Sequence, residues 1–120
     1  MNCPQISVSV GELLDKITIL QIKSKHTDNE YVIKELQDLT KITQELEVYN
    51  ESYLNELLIV NSLLWDIEDS LRKLEEEYRF DDEFISLARQ VYITNDKRAD
   101  IKRKINEETK SFYKEIKLYE

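Results

Sequence analysis

Glycine and proline are almost missing from this chain, with one of each in 120 residues. Sheet-rich folds of this size need many tight turns, and those turns are built from glycine, Asn-Gly pairs and proline. No Asn-Gly, Asp-Gly or Gly-Gly pair occurs. The absence argues against an all-β fold and for an all-α one. A single cysteine, Cys3, excludes an intramolecular disulfide, and a single histidine, His26, leaves no Cys/His zinc site. Positive charge is also in short supply, with 17 Lys and Arg against 25 Asp and Glu and a net charge of −8. Duplex-binding domains carry a basic footprint, so nucleic acid is not an expected partner. No run approaches the roughly 18 apolar residues of a membrane span, and the N-terminus lacks the basic and apolar regions of a signal peptide. No membrane association and a cytoplasmic location are the expectations. One glycine cannot build a G-x-x-x-x-G-K-[ST], G-x-G-x-x-G or G-x-S-x-G motif.

What is present is apolar material inside a charged shell: 41% hydrophobic and 35% charged residues. The length is that of one domain, residues 1–120, which buries roughly two thirds of its unfolded surface without disulfides or metals. The charge is uneven. Asp66–Glu83 holds nine acidic and three basic residues, and Lys97–Lys117 holds eight basic and four acidic. If the two segments lie side by side, their attraction helps fix the pairing. If not, they are solvated faces, where exposed pairs contribute about 0–1 kcal/mol each.

Residues 1–8 read as an extended arm. Ser9 and Glu12 have the spacing of a capping box and open a helix over about 10–25. Its apolar face is Val10, Leu13, Leu14, Ile17 and Leu20, with Ile19 and Ile22 on the other side. A helix apolar on two sides is either sandwiched within the fold or used for contact with another chain. His26-Thr27-Asp28-Asn29 is a turn, with Asp28 or Asn29 capping a second helix over about 30–49. The third helix, about 53–78, carries Leu57, Val60, Leu64, Ile67, Leu71, Leu74 and Tyr78 at 3–4 spacing, with Leu54, Leu58 and Trp65 beside that seam. After a turn near residue 80, Asp81 or Asp82 caps a fourth helix over about 83–108, with face Phe84, Leu87, Ala88, Val91, Ile101 and Ile105. A short last helix is expected over 111–119. The architecture predicted is an antiparallel bundle of about four helices with a long central hairpin.

Polar residues interrupt two of these apolar faces. Asn95 and Arg98 lie about 40° and about 20° from Val91, in the middle of the fourth helix's face. Asn61, Glu68 and Arg72 fall between the stripes of the third helix, next to Trp65. A short turn near residue 80 makes facing residue numbers sum to about 160, which brings Asn61 level with Arg98 and Trp65 level with Asn95. A buried guanidinium needs an acceptor, and Glu68 is the expected partner of Arg98. The layer Asn61, Trp65, Glu68, Arg72, Asn95 and Arg98 is therefore the candidate site. One reading is a buried network fixing helix register. The other is a ligand site between helices, where an arginine, amides and an indole hold a small anionic molecule.

Other chemistry is weaker. Acidic pairs at i, i+3 can hold Mg²⁺ on helical scaffolds, as in all-α nucleotide pyrophosphohydrolases. Glu12/Asp15, Glu35/Asp38 and Asp66/Asp69 are three such pairs, against about five expected by chance from composition. No metal, no cofactor and no catalytic residue is assigned. His26 reads as a helix-end residue, Cys3 as an unactivated thiol in the arm, and the seven tyrosines as core or rim positions.

The run Val10-Gly11-Glu12-Leu13-Leu14-Asp15-Lys16-Ile17-Thr18-Ile19-Leu20 followed by Ile22-Lys23-Ser24, then Val60-Asn61, Leu64-Trp65-Asp66-Ile67-Glu68-Asp69 and Arg72, resembles a small family of bacterial and phage-associated helical proteins catalogued as a domain of unknown function. The likeness resumes at Phe84-Ile85, Leu87-Ala88-Arg89, Val91-Tyr92, Thr94-Asn95-Asp96 and Arg98-Ala99. It continues through Ile101-Lys102 and Ile105-Asn106 to Glu115, Lys117 and Tyr119. Thr109-Lys110-Ser111 departs from it, since relatives carry a Gly-Ser turn there. The resemblance implies no established activity. It implies a setting near genes for surface polysaccharide synthesis. A fainter similarity, of fold class alone, links the short first helix and long hairpin to helical chorismate mutases, whose sites bind a dicarboxylate with Arg and Lys.

The function expected is that of a non-catalytic helical interaction or assembly protein, with a homodimer or another protein as partner. The alternative is an anionic-ligand-binding protein or enzyme, chorismate-mutase-like or pyrophosphohydrolase-like, with its pocket between helices.

Overall fold

A computed structural model of the chain describes residues 3–113. Four helices follow one another: α1 Val10–His26, α2 Glu30–Glu45, α3 Glu51–Glu76 and α4 Asp82–Glu108. No strand occurs among the described residues. Each helix starts on a side-chain cap. Ser9 Oγ accepts from the Glu12 N–H at 3.0 Å, and Asn29 and Asn50 Oδ1 accept from the Tyr31 and Tyr53 N–H groups at 2.9 and 3.0 Å. Asp81 Oδ1 accepts from the Phe84 N–H at 3.4 Å. The expected capping box on α1 is only half made. The Glu12 carboxylate does not turn back to Ser9 but accepts from Lys102 Nζ on α4 at 2.7 Å, because α4 lies alongside.

The C-terminal ends have a common device. After α2, α3 and α4, residues Glu47, Tyr78 and Lys110 take left-handed φ values of 58°, 54° and 54°. In each case the next N–H bonds back five residues: Val48 to Thr43 O, Arg79 to Leu74 O and Ser111 to Asn106 O, at 2.8–2.9 Å. These are Schellman closures without the usual glycine. They end α2 at Glu45, four residues short of the expected 49. They also remove Tyr78 from the α3 seam, leaving it 84% exposed. After the third closure, Ser111–Tyr113 is non-helical, and the rest of the expected last helix lies outside the described residues.

α3 and α4 form the expected antiparallel hairpin, with facing residue numbers summing to about 160: Lys104 pairs with Glu56 at 2.6 Å, and the Tyr53 hydroxyl donates to Glu108. That hydrogen bond, followed by partial burial, raises the Tyr53 pKa. α1 lies in the groove between the two long helices, parallel to α3 and antiparallel to α4. α2 folds back over α1 and turns Leu36 and Leu39 to the core. The core, Leu14, Ile17, Leu54, Leu57 and Ile105, sits where α1 crosses the hairpin. The second apolar side of α1 is therefore sandwiched: Ile22 is buried, and Ile19 is half-buried.

The hairpin projects beyond α1. No residue from Asp82 to Ile93 is buried, and after Ile67 only Leu74 is buried on α3. Ala88, expected on the inner face of α4, is exposed. The radius of gyration, 16.2 Å, exceeds the about 14 Å of a compact domain of this length. Asp66–Glu83 forms this free end, while the basic stretch from Lys97 faces the N-terminal part of α3. Within the described residues, up to Tyr113, the two oppositely charged segments do not lie side by side.

Candidate functional site

One stripe of α1 builds the site. Gly11, Asp15, Thr18 and Ile22 follow at i, i+4, i+7 and i+11, one line on a helix, and all four are buried. Gly11, the sole glycine, marks the closest approach to α4. A Cβ there would stand 2.7 Å from the Lys102 carbonyl oxygen and 2.9 Å from Asn106 Oδ1. That closeness lets α4 cap α1. The Gly11 N–H donates to Asn106 Oδ1 at 2.7 Å and the Val10 N–H to Ser111 Oγ at 3.1 Å. With Ser9 holding the Glu12 N–H, the first three orphan N–H groups of α1 all have side-chain acceptors. The cost is that Asn106 Nδ2 is buried without a hydrogen-bond partner among the described residues.

One turn further on stands the acceptor for Arg98. It is Asp15, not Glu68. Arg98 Nε and Nη2 donate to the two Asp15 oxygens at 2.9 and 2.5 Å, a bidentate pair of the stronger kind. Asn61 Nδ2 donates to Asp15 Oδ1 at 2.9 Å and to Thr18 Oγ1 at 2.8 Å, and Thr18 Oγ1 donates to the Asp15 carbonyl at 2.8 Å. Asp15 is 1% exposed and the Arg98 side chain 27%. The network joins α1, α3 and α4 at one level. Arg98 Nη1 donates to Asn95 Oδ1 at 3.4 Å.

The six expected residues are brought together in large part. Asn61 and Arg98 belong to the Asp15 network. Those two also line, with Trp65, Glu68 and Asn95, a hollow of about 310 Å³ completed by Ile19, Ile22 and Leu64, so five of the six expected residues meet there. His26, at the end of α1, stacks on Trp65 with ring centres 4.6 Å apart and planes 13° apart. Arg72 lies farther out, lining hollows with Asp69, Glu75 and Phe84. Glu68 is exposed and makes no ion pair with Arg98. Asp15, Thr18 and Gly11 were missed as site residues, although the stripe that unites them is visible in the sequence.

The arrangement leaves little for a substrate. The Asp15 oxygens are engaged by Arg98 and Asn61, and Lys102 is engaged by Glu12. Five of the six carboxylates in the acidic pairs are held by separate cations: Asp15 by Arg98, Glu12 by Lys102, Glu35 by Lys16, Asp38 by Lys34 and Asp69 by Lys73. Among the described residues, no three of His, Cys, Asp and Glu come together to hold a metal. No helix among them is long and apolar enough to cross a membrane.

The chain belongs to a family of unknown function, DUF6165, whose pattern spans residues 4–120. No curated protein and no solved structure gives a match.

Proposed function

We propose that the chain is a non-catalytic helical interaction protein. In this reading the Asp15–Arg98–Asn61 network is a brace, and the open side of the α3–α4 hairpin is the contact surface. The observation that carries the reading is the engagement of Arg98. Its guanidinium is held bidentately by a buried carboxylate of opposite charge, so the layer presents no net positive charge to an anion. A dicarboxylate site of the chorismate-mutase kind would need Arg98 and Lys102, which Asp15 and Glu12 already hold. Meanwhile Ile85 and Tyr92 stand 53% and 55% exposed on the projecting hairpin.

Of the two partners expected, another protein suits the hairpin better than a second copy. The sandwiching of Ile19 and Ile22 removes α1 as a reason for dimerisation, and two ends of net −6 each repel. A setting beside surface polysaccharide synthesis would make the proteins of that process the first to test.

A thermal-shift screen of anionic metabolites on wild type and Arg98→Ala separates brace from pocket. A brace predicts that no compound moves the wild type, while Arg98→Ala loses about 3–5 kcal/mol by stranding the Asp15 charge. A metabolite that stabilises the wild type but not Arg98→Ala would establish the pocket instead.

A further inference from the structure

The groove that α1 fills at the base continues along the rest of the hairpin, where no other helix of the described residues enters it. α1 ends at His26, stacked on Trp65, and the chain then turns back into α2. Past that point three hollows adjoin one another and share Glu68. The first is beside Asn61 and Trp65, the second between Trp65, Asp69 and Arg72, and the third between Leu71, Arg72, Glu75 and Phe84. On α4, Phe84, Ala88 and Asn95 fall on one helical line along the opposite wall. From Trp65 to Glu75 the open groove runs about 15 Å, the length of about three helical turns.

Its floor is apolar. Leu71, Phe84, Leu87 and Val91 are only half-buried, and Ala88 is exposed. These are residues of a three-helix seam from which one helix is missing. Its α3 wall is net acidic, with Glu68, Asp69 and Glu75 against the single cation Arg72. The ion pairs of the hairpin end are Lys73 with Asp69 and Arg79 with Glu77, Asp81 and Glu83. Glu68 and Glu75, seven residues apart on the groove wall, take part in none among the described residues. The whole segment Asp66–Glu83 carries a net charge of −6.

The geometry points to one occupant, a basic amphipathic helix of another protein. It continues the line of α1, sets an apolar stripe on Leu71 and Phe84, and brings two Lys or Arg side chains, two turns apart, to Glu68 and Glu75. This is the helix-in-groove mode of recognition, with the apolar floor giving affinity and the carboxylates giving orientation and sign. The inference rests on the interaction reading above and specifies its partner.

The full chain provides its own reporter, because Trp65 is the only tryptophan and stands at the closed end of the groove. The probe is a helical Leu/Lys peptide of about 15 residues with leucine on one stripe, titrated against a scrambled peptide of the same composition while Trp65 emission is followed. The striped peptide is expected to bind at least about tenfold more tightly than the scramble. The double variant Glu68→Lys, Glu75→Lys is expected to lose at least about tenfold of that affinity with its melting temperature kept. Asp66→Lys with Asp82→Lys makes the same change of charge away from the groove and is expected to lose no more than about threefold, through the long-range field alone.

Equal binding of the scramble, equal losses in the two double variants, or no binding to about 1 mM peptide would overturn the proposal. Sedimentation of the same samples separates the failures. A dimer dissociated by Glu68→Lys, Glu75→Lys would keep the hairpin as contact surface and put a second copy in the groove. A monomer that binds no peptide would remove the groove as the contact surface, while the interaction reading itself stands or falls by the metabolite screen on wild type and Arg98→Ala.

Discussion

The two ends of the α3–α4 hairpin are made of the same two helices and differ in one respect, the presence of α1. At the base, α1 supplies a third wall. There Leu14, Ile17, Leu57 and Ile105 are 0–1% exposed, and the polar residues that intrude are bonded across three helices. Toward the tip the third wall is missing. Phe84, Leu87 and Val91 stay half-buried, and Ile85 and Tyr92 stand in solvent. The apolar periodicity of α3 runs evenly through both regions, so periodicity reports what a helix can bury and not what it does bury.

The contrast can be broken or sharpened by substitution. The largest effect after loss of Arg98 is expected from Leu57→Ala, at about 2–5 kcal/mol by urea denaturation, for a fully enclosed side chain leaving a cavity. Leu71→Ala, the same change on the same helix beyond α1, should cost less than half as much, since its site is already open to water. Equal losses would mean that the distal hairpin is as well packed as the base. Gly11→Ala follows, at about 1–3 kcal/mol, because its new methyl meets the Lys102 backbone carbonyl, which cannot yield as a flexible side chain could. A melting temperature unchanged by this substitution would show that α1 and α4 are not held so closely.

Smaller and opposite in sign is Tyr78→Gly, which relieves the left-handed residue at the hairpin turn and should add up to about 1 kcal/mol. Tyr78 is exposed, so little packing is lost. The smallest is a pH effect at the same turn. The hydrogen bond from Arg79 holds the Asp81 carboxyl below its usual range, with the Phe84 N–H adding to the effect. A lowered folded value means stability fully present above the ordinary carboxylate pKa, about pH 4, and lost as pH falls through the folded value. The melting-temperature difference between wild type and Asp81→Asn should therefore shrink between about pH 5 and pH 2. A constant difference would mean that Asp81 caps α4 without titrating.

Much of this was legible in the residues. Three helix starts follow from Ser9, Asn29 and Asp81, whose short polar side chains can each accept from a backbone N–H; the third helix begins at Glu51 on Asn50, two residues before the expected 53. The level pairing of α3 and α4 follows from a short turn. Helix ends were harder to read, because Glu47, Tyr78 and Lys110 close their helices in a conformation that normally advertises itself as glycine. The polar layer was half legible. Asn61 and Arg98 betray themselves by interrupting apolar faces, but the hairpin alone offers Glu68 as the acceptor, whereas the actual one, Asp15, comes from α1. Asp15 escaped because α1 is short, and its Gly11–Asp15–Thr18–Ile22 stripe mixes a glycine, a carboxylate and a hydroxyl with one apolar residue.

By itself the sequence determined that the chain is helical, where three of its helices begin, and that two long ones fold back on each other. These follow from local backbone chemistry and from the 3.6-residue period. Only the tertiary structure decided that α1 enters the hairpin groove and stops at Trp65, that Asp15 answers Arg98, and that half the groove stays open. Each of those depends on how closely two backbones approach across a hundred residues of chain. That distance is set here by the one position, Gly11, where no side chain stands between them.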